Sequence, residues 1–365
     1  MQFSNSETQQ LLQTTARSFL QDTFPWERLY ALEDDKDQIS REDVARFAEL
    51  GWMALIAPEA EGGGGASLLE AAIVIEELGY AAVPAPVTAS NVATLILQTA
   101  EASQQLADLV SNKRTYTLSD GVRRLRPVSE GLSAAGGKLS GTLPLVAFAA
   151  ISDVVLTPLT IDNEPAFAAL PLSDGEQEPV KLLDRTSYAN VRFDGVALDG
   201  ENVLAIGPAA EALHERCDAL TTALTTIELA GMMRRVLELT TEYITGRIQF
   251  GQPIAKFQAA RHRAAELLMS TEMTRWAAYH ALWRFQEDHE DTEEVWLAKH
   301  YAARAADPVY QHSHMLHGGI GVGTDYPLHL LTQGIIALAV RGGSLNELTE
   351  RAIQSRGLAP AEQAS

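Results

Sequence analysis

Arg247-Ile-Gln-Phe-Gly-Gln-Pro-Ile-Ala-Lys-Phe-Gln258, read together with His317-Gly-Gly-Ile-Gly321, is the stretch on which the reading of this chain turns. Each segment lies between two helical patterns and brings Gly to a place where backbone must come close to something. The first offers a guanidinium, aromatic rings and carboxamides: Arg247, Gln249, Phe250, Phe257 and Gln258. The second offers bare backbone N–H groups at Gly318 and Gly319. Together they suit a dinucleotide tail, with Arg for the diphosphate, amides for ribose or adenine edges, and glycines where a side chain would collide with phosphate.

Outward from these segments the chain divides by pattern. Residues 1–112 carry apolar residues at three- and four-residue spacing over Leu11 to Leu20, Arg41 to Leu50, Leu68 to Leu78 and, with room for interruptions, Ser90 to Leu109, which predicts helices. The run Gly62-Gly63-Gly64-Gly65 precedes no Lys-Ser/Thr pair, so it reads as a turn before a helix opening at Ser67 rather than as a phosphate loop. Residues 113–206 change to short β-type runs bounded by turn residues: Thr115 to Leu118, Ser152 to Thr157, Ala166 to Leu170 and Ala189 to Phe193. Residues 207–365 are helical again, over Ala212 to Thr245, Pro253 to Ala278 and Glu293 to His314, with alternating small and large residues that favour close helix packing.

Composition bounds the function. At 365 residues, 46% hydrophobic and 21% charged, the chain is globular with room for a substantial core. Its net charge of −20 opposes association with nucleic acid or anionic lipid. A polar N-terminus and the lack of a long apolar run support neither a secretory signal nor a membrane span. One cysteine, Cys217, excludes an internal disulfide framework and fits a reducing compartment, with cytoplasm the default. His312, His314 and His317 do not share one helix face, so no metal site is expected there.

The pattern Arg-x-x-Phe-Gly-x-x-Ile-x-x-Phe-Gln, followed by Gly-Gly-x-Gly and Asp325-Tyr326-Pro327, resembles the acyl-CoA dehydrogenase family over nearly the whole chain. That resemblance implies a helical N-terminal domain, a small β-barrel or β-sheet middle domain and a C-terminal four-helix bundle. It also implies FAD, with the flavin ring held by one protomer's middle domain and the ADP half clasped by a neighbour. The residues implied for the clasp are Arg247, Gln249, Phe250, Phe257, Gln258, Met315, His317, Gly318, Gly319 and Ser344. A Gln usual before the paired glycines is Met315 here, which removes one hydrogen bond on the adenosine side.

The most informative part of the resemblance is a loss. Ungapped alignment puts the family's catalytic Glu, from its Glu-Gly-Thr motif, on Gly342. The alternative position used by some members, on the helix before the Arg-x-x-Phe-Gly segment, falls on or beside Thr221, and Thr222 stands where a substrate-binding Arg is often found. The base of α,β-dehydrogenation must be a carboxylate within reach of the α carbon; Glu215, Asp218 and Glu228 are the nearest acids that could stand in. The flavin-ring motifs are missing as well: only Ser119-Asp-Gly121 follows the first strand, and Leu145 and Ala147 stand near the positions of the usual Trp and Thr.

Residues donated in trans are therefore kept and those used in cis are lost. The resemblance then implies the non-catalytic subunit of an α2β2 heterotetramer, whose homologous partner supplies the Glu and the ring site and binds most of the acyl-CoA. An electron-transfer flavoprotein or similar acceptor would take the electrons, and paired members of this kind are associated with bulky CoA esters such as steroid fragments. A self-sufficient homotetramer with a relocated base and a flavin-free scaffold stay open as alternatives. Singly, each clasp residue also has a plain structural role: Arg247 paired with a surface acid, Phe250 in a core, Gly318 to Gly321 as a helix-ending turn.

Overall fold

The structure is a computed structural model that describes residues 5–34, 38–119, 131–287 and 292–357. The described residues fall into two compact units, one within 1–37, 72–84 and 222–365 and the other within 38–71 and 85–221.

The second unit is built on an eight-stranded sheet. Its strands are β1 (Tyr116–Leu118), β2 (Ser133–Ala135), β3 (Lys138–Ala147), β4 (Val154–Ile161), β5 (Glu164–Pro171), β6 (Glu176–Val180), β7 (Tyr188–Ala197) and β8 (Val203–Ile206). They run in the order β6-β7-β3-β2-β4-β5-β8, with β1 parallel to β4. Alternating positions of β3, β4, β5 and β7 bury Leu143, Val155, Ala168 and Val191 in one apolar cluster, as period-two strands with one covered face should. Helices α3 (Arg41–Glu49), α5 (Val87–Thr99) and α6 (Ser103–Val110) belong to the same unit. The predicted helix over Ser90 to Leu109 breaks into α5 and α6, where Glu101 takes a left-handed φ of 54°.

The first unit is helical. It holds α1 (Glu7–Thr23), α2 (Trp26–Glu33), most of α4 (Leu68–Ala81) and of the 39-residue α7 (Pro208–Gly246), then α8 (Gln258–Glu287), α9 (Glu293–His317), α10 (Gly319–Val322), α11 (Leu328–Val340) and α12 (Leu345–Ser355). Where α4 crosses α7, two glycines let the backbones touch: a Cβ on Gly231 would lie 2.0 Å from the Glu76 carbonyl oxygen, and one on Gly79 would lie 2.0 Å from that of Glu228.

This crossing carries a buried charge network. Glu76 and Glu77 are fully buried. Glu76 accepts from Arg234 at 2.6 Å, from Arg275 at 2.7 Å and from the Tyr279 hydroxyl at 2.7 Å, while Glu77 accepts from Arg17 and Arg234. Burial pushes the Glu77 carboxyl up, but Arg17 and Arg234 outweigh it and hold the group below its usual range. The network ties α1, α4, α7 and α8 together.

Capping sets several of the helix starts. Ser40 with Asp43, Ser67 with Glu70 and Ser344 with Glu347 form reciprocal side-chain and backbone bonds at the starts of α3, α4 and α12. The Gly62–Gly65 run is a packed turn, since a Cβ on Gly63 or Gly64 would strike the backbone of Ala57 or Leu55.

Candidate functional site

Residues 248–253 fold as a two-strand hairpin. β9 (Ile248–Gln249) pairs with β10 (Gln252–Pro253), and the two turn residues Phe250 and Gly251 have φ of 52° and 82°. Two positive φ values in succession make the tight hairpin turn of primed type, which suits Gly but strains Phe. The strained ring gains no burial from this: Phe250 is 92% exposed and meets Phe257 edge-on at 6.2 Å. Its plain reading as core is thereby excluded. Arg247 has its backbone fixed at both ends, its N–H to the Tyr243 carbonyl at 2.8 Å and its carbonyl to the Ile254 N–H at 3.0 Å, while its side chain is exposed. Among the described residues no carboxylate pairs with it.

Beside the hairpin lies a groove of about 860 Å³, lined among others by Arg247, Gln249, Phe257, Met315, His317, Gly318 and Gly319. Of the residues expected to form the clasp, these seven come together. Phe250 is at the turn, Gln258 is exposed at the first position of α8, and Ser344 caps α12, its hydroxyl oxygen accepting from the Glu347 N–H.

Gly318 ends α9 with φ 63° and ψ −138°, a conformation reserved for glycine. Gly319 is different, since it has no positive φ and a Cβ there would meet nothing within 4 Å. Neither conformation nor internal packing requires Gly at 319. What a missing side chain provides there is room for an external group.

The groove wall behind the glycines is aromatic. Tyr243 stacks on His317 with centroids 4.6 Å apart. Burial lowers the His317 pKa, against the pull of its bond to the Ser313 carbonyl at 2.8 Å, so the ring is neutral, with Nδ1 donating to that carbonyl and Nε2 accepting from the Tyr326 hydroxyl at 3.3 Å. His317 thus holds the glycine turn in place with both nitrogens engaged. Among the described residues no three His, Cys, Asp or Glu side chains converge as metal ligands.

Thr222, where the sequence places a lost substrate-binding Arg, lies beside Gly342. A Cβ on Gly342 would lie 3.6 Å from Thr222 Oγ1 and 3.7 Å from Lys299 Cε. Gly342 itself has φ 92°, so a Glu in that backbone would be strained as well as absent. Thr221 donates its hydroxyl to the Cys217 carbonyl at 2.7 Å. Lys299, fully buried, donates to the Leu338 carbonyl at the end of α11, and burial takes its pKa down to about 7. Of the substitute acids, Glu215 is exposed on α7, and Asp218 and Glu228 are half-buried.

In the sheet unit, the polar groups near the expected ring site bond within the chain. Thr117 donates to the Ala147 carbonyl at 2.7 Å, Ser119 to the Leu156 carbonyl at 3.3 Å, and the Leu145 N–H to Asn190 Oδ1 at 3.1 Å. Ala147, Phe148 and Tyr188 pack as a small apolar cluster against Leu145. Asp120 and Gly121 of the candidate loop lie outside the described residues.

The acyl-CoA dehydrogenase N-terminal domain matches residues 6–109 and the C-terminal domain of the same family matches residues 220–358. The chain belongs to the acyl-CoA dehydrogenase family. Relatives include the acyl-CoA dehydrogenases FadE28 and FadE27 of Mycobacterium tuberculosis. The first is 29% identical over 76% of this chain and 82% of its own length, the second 27% identical over 90% and 91%. Among solved structures, a chain of the ChsE4-ChsE5 complex from Mycobacterium tuberculosis superposes with a TM-score of 0.88 at 26% identity, covering 99% of this chain and 100% of that one. A variant of the Tcur3481-Tcur3483 steroid ACAD superposes at 0.85 and 25% identity, covering 96% and 98%. As a member of this family the chain has its helical N-terminal part, middle sheet and helical C-terminal part.

Among the polar groove residues, two escaped the sequence reading, Tyr243 and Arg263. Arg263 is a half-buried residue of α8 whose Nη1 donates to Met315 Sδ at 2.9 Å. Its three- and four-residue spacing from Ala260 and Ala259 was the available signal, because it puts all three on the hairpin side of α8.

Proposed function

We propose that this chain is the non-catalytic subunit of a heteromeric acyl-CoA dehydrogenase of α2β2 form, which grips the ADP half of an FAD whose ring lies in a homologous catalytic partner. The observation that carries the proposal is an asymmetry. Arg247 stands without a carboxylate partner among the described residues beside the open Gly319, whereas Gly342 and Thr221, the two base positions, hold no carboxylate. Relatives named as a two-protein complex, ChsE4-ChsE5, support the paired arrangement.

The residues present fit the ADP half. Arg247 would take the diphosphate, Gln249 and Gln258 would offer amides to ribose or adenine, Phe250 and Phe257 would offer ring faces, and Gly318 and Gly319 would let phosphate approach the backbone. Ser344 stands further along the chain at the start of α12. Among the described residues the ring half is not matched, since the hydroxyls of Thr117 and Ser119 donate to carbonyls of this chain. FAD, when bound, supplies the hydride acceptor for α,β-desaturation of an acyl-CoA thioester. The proton acceptor would come from the partner, which would also bind most of the acyl-CoA, and an electron-transfer flavoprotein or similar acceptor would drain the electrons. Bulky, steroid-derived CoA esters are the proposed substrates and the cytoplasm the proposed compartment.

Turnover tests this reading. The purified chain, given acyl-CoA esters and an artificial electron acceptor, should show none, and mixing with a homologous chain that carries Glu-Gly-Thr should restore it. Turnover by the chain alone, abolished by Glu228→Gln, would establish a relocated base instead.

A further inference from the structure

We infer that Arg263 is a second phosphate-binding residue of the groove, oriented by the Met315 thioether, so that the site selects a diphosphate over a monophosphate; this rests on the groove being the nucleotide site proposed above. Arg263 lies on the same face of α8 as Ala259 and Ala260, and all three line the groove with Arg247. Its guanidinium reaches across to α9 and donates from Nη1 to Met315 Sδ at 2.9 Å. Met315 is itself 59% exposed. Among the described residues that sulfur is its hydrogen-bond partner, and neither Arg263 nor Arg247 has a carboxylate within ion-pair distance.

Composition makes this arrangement unusual. Asp and Glu outnumber Lys and Arg by 48 to 28, so an unneutralised pair of guanidiniums in one groove runs against the rest of the chain. A thioether is a weak, neutral acceptor. It orients Arg263 and takes none of its charge, as a carboxylate at 315 would. One guanidinium can satisfy a single phosphoryl group, and two suit the paired groups of a diphosphate, each with its own fork of donors. Met315, which forgoes the amide expected at its position, thereby gains a role in setting the direction of Arg263.

The test is calorimetric titration of the full chain with ADP and with AMP at low salt. The wild-type chain should bind ADP more tightly than AMP. Arg263→Gln should weaken ADP about tenfold, the loss of one charge-assisted contact, and leave AMP within about twofold, so that the preference collapses. Arg263→Lys keeps the charge without the fork and should fall between; it serves also if the Gln variant melts early. An unchanged ADP-to-AMP preference in both variants overturns the assignment. If Arg247→Ala abolishes ADP binding while both Arg263 variants behave as wild type, only Arg263 is reassigned. If the wild-type chain binds neither nucleotide, the groove is not a nucleotide site and the functional reading fails with it.

Discussion

Arg247→Ala is expected to strip flavin from the assembled heteromer while leaving this chain's own fold unchanged. A charge-assisted bond to phosphate is worth about 1.5–3 kcal/mol, which corresponds to roughly a 10- to 100-fold loss of affinity. The side chain is exposed and pairs with no carboxylate among the described residues, so its removal orphans nothing. The backbone bonds of residue 247 to Tyr243 and Ile254, which hold the hairpin, survive in alanine. Flavin absorbance per complex after gel filtration, set beside the melting curve, checks both halves. A complex that keeps its full flavin complement would favour a scaffold that merely binds a partner enzyme.

The second large effect is on stability. Glu76→Gln keeps the shape of a fully buried side chain and removes the charge on which Arg234, Arg275 and the Tyr279 hydroxyl converge. Breaking a buried ion pair by removing one partner typically costs about 3–5 kcal/mol, because the remaining charge stays buried and uncompensated. Glu77 also reaches Arg234, which moderates the loss there, but among the described residues Arg275 has no second carboxylate within ion-pair distance. A fall in melting temperature on the order of 10 °C is expected. A change of a degree or two would mean that the network is solvated in solution and adds little.

Much of the fold was legible before any coordinates. The spacing that predicts helices over Arg41 to Leu50 and Leu68 to Leu78 corresponds to α3 and α4, and the β-type runs at Ser152 to Thr157 and Ala189 to Phe193 lie within or across β4 and β7. The predicted start of a helix at Pro253 was early. Ile254 to Lys256 form a single 3-10 turn, and α8 begins at Gln258. Pro308, by contrast, sits inside α9 without ending it. The short α2 and the strands β2, β6 and β8 were not read, since eight residues or fewer with partly exposed positions give too little periodicity.

The two segments singled out in sequence do line one groove, but the hairpin turn at Phe250-Gly251 was not read, since a Phe at a positive φ gives no turn signal. Nor was the site legible where a side chain reaches across helices. Arg263 looks in sequence like any surface arginine, and only the juxtaposition of α8 and α9 brings it to Met315. The pair Glu76-Glu77 likewise looks like a solvated helix face until the crossing at Gly79 and Gly231 closes over it. The convergence of residue 222 with Gly342 depends on the same three-dimensional information.

The most direct measurement is the ratio of FAD to protein chains in the purified complex, with the chain alone as reference. Division of the cofactor between two different chains predicts one FAD for every two chains in the complex and none retained by this chain by itself. One FAD bound per chain, or a yellow preparation of this chain alone that oxidises an acyl-CoA, would contradict it.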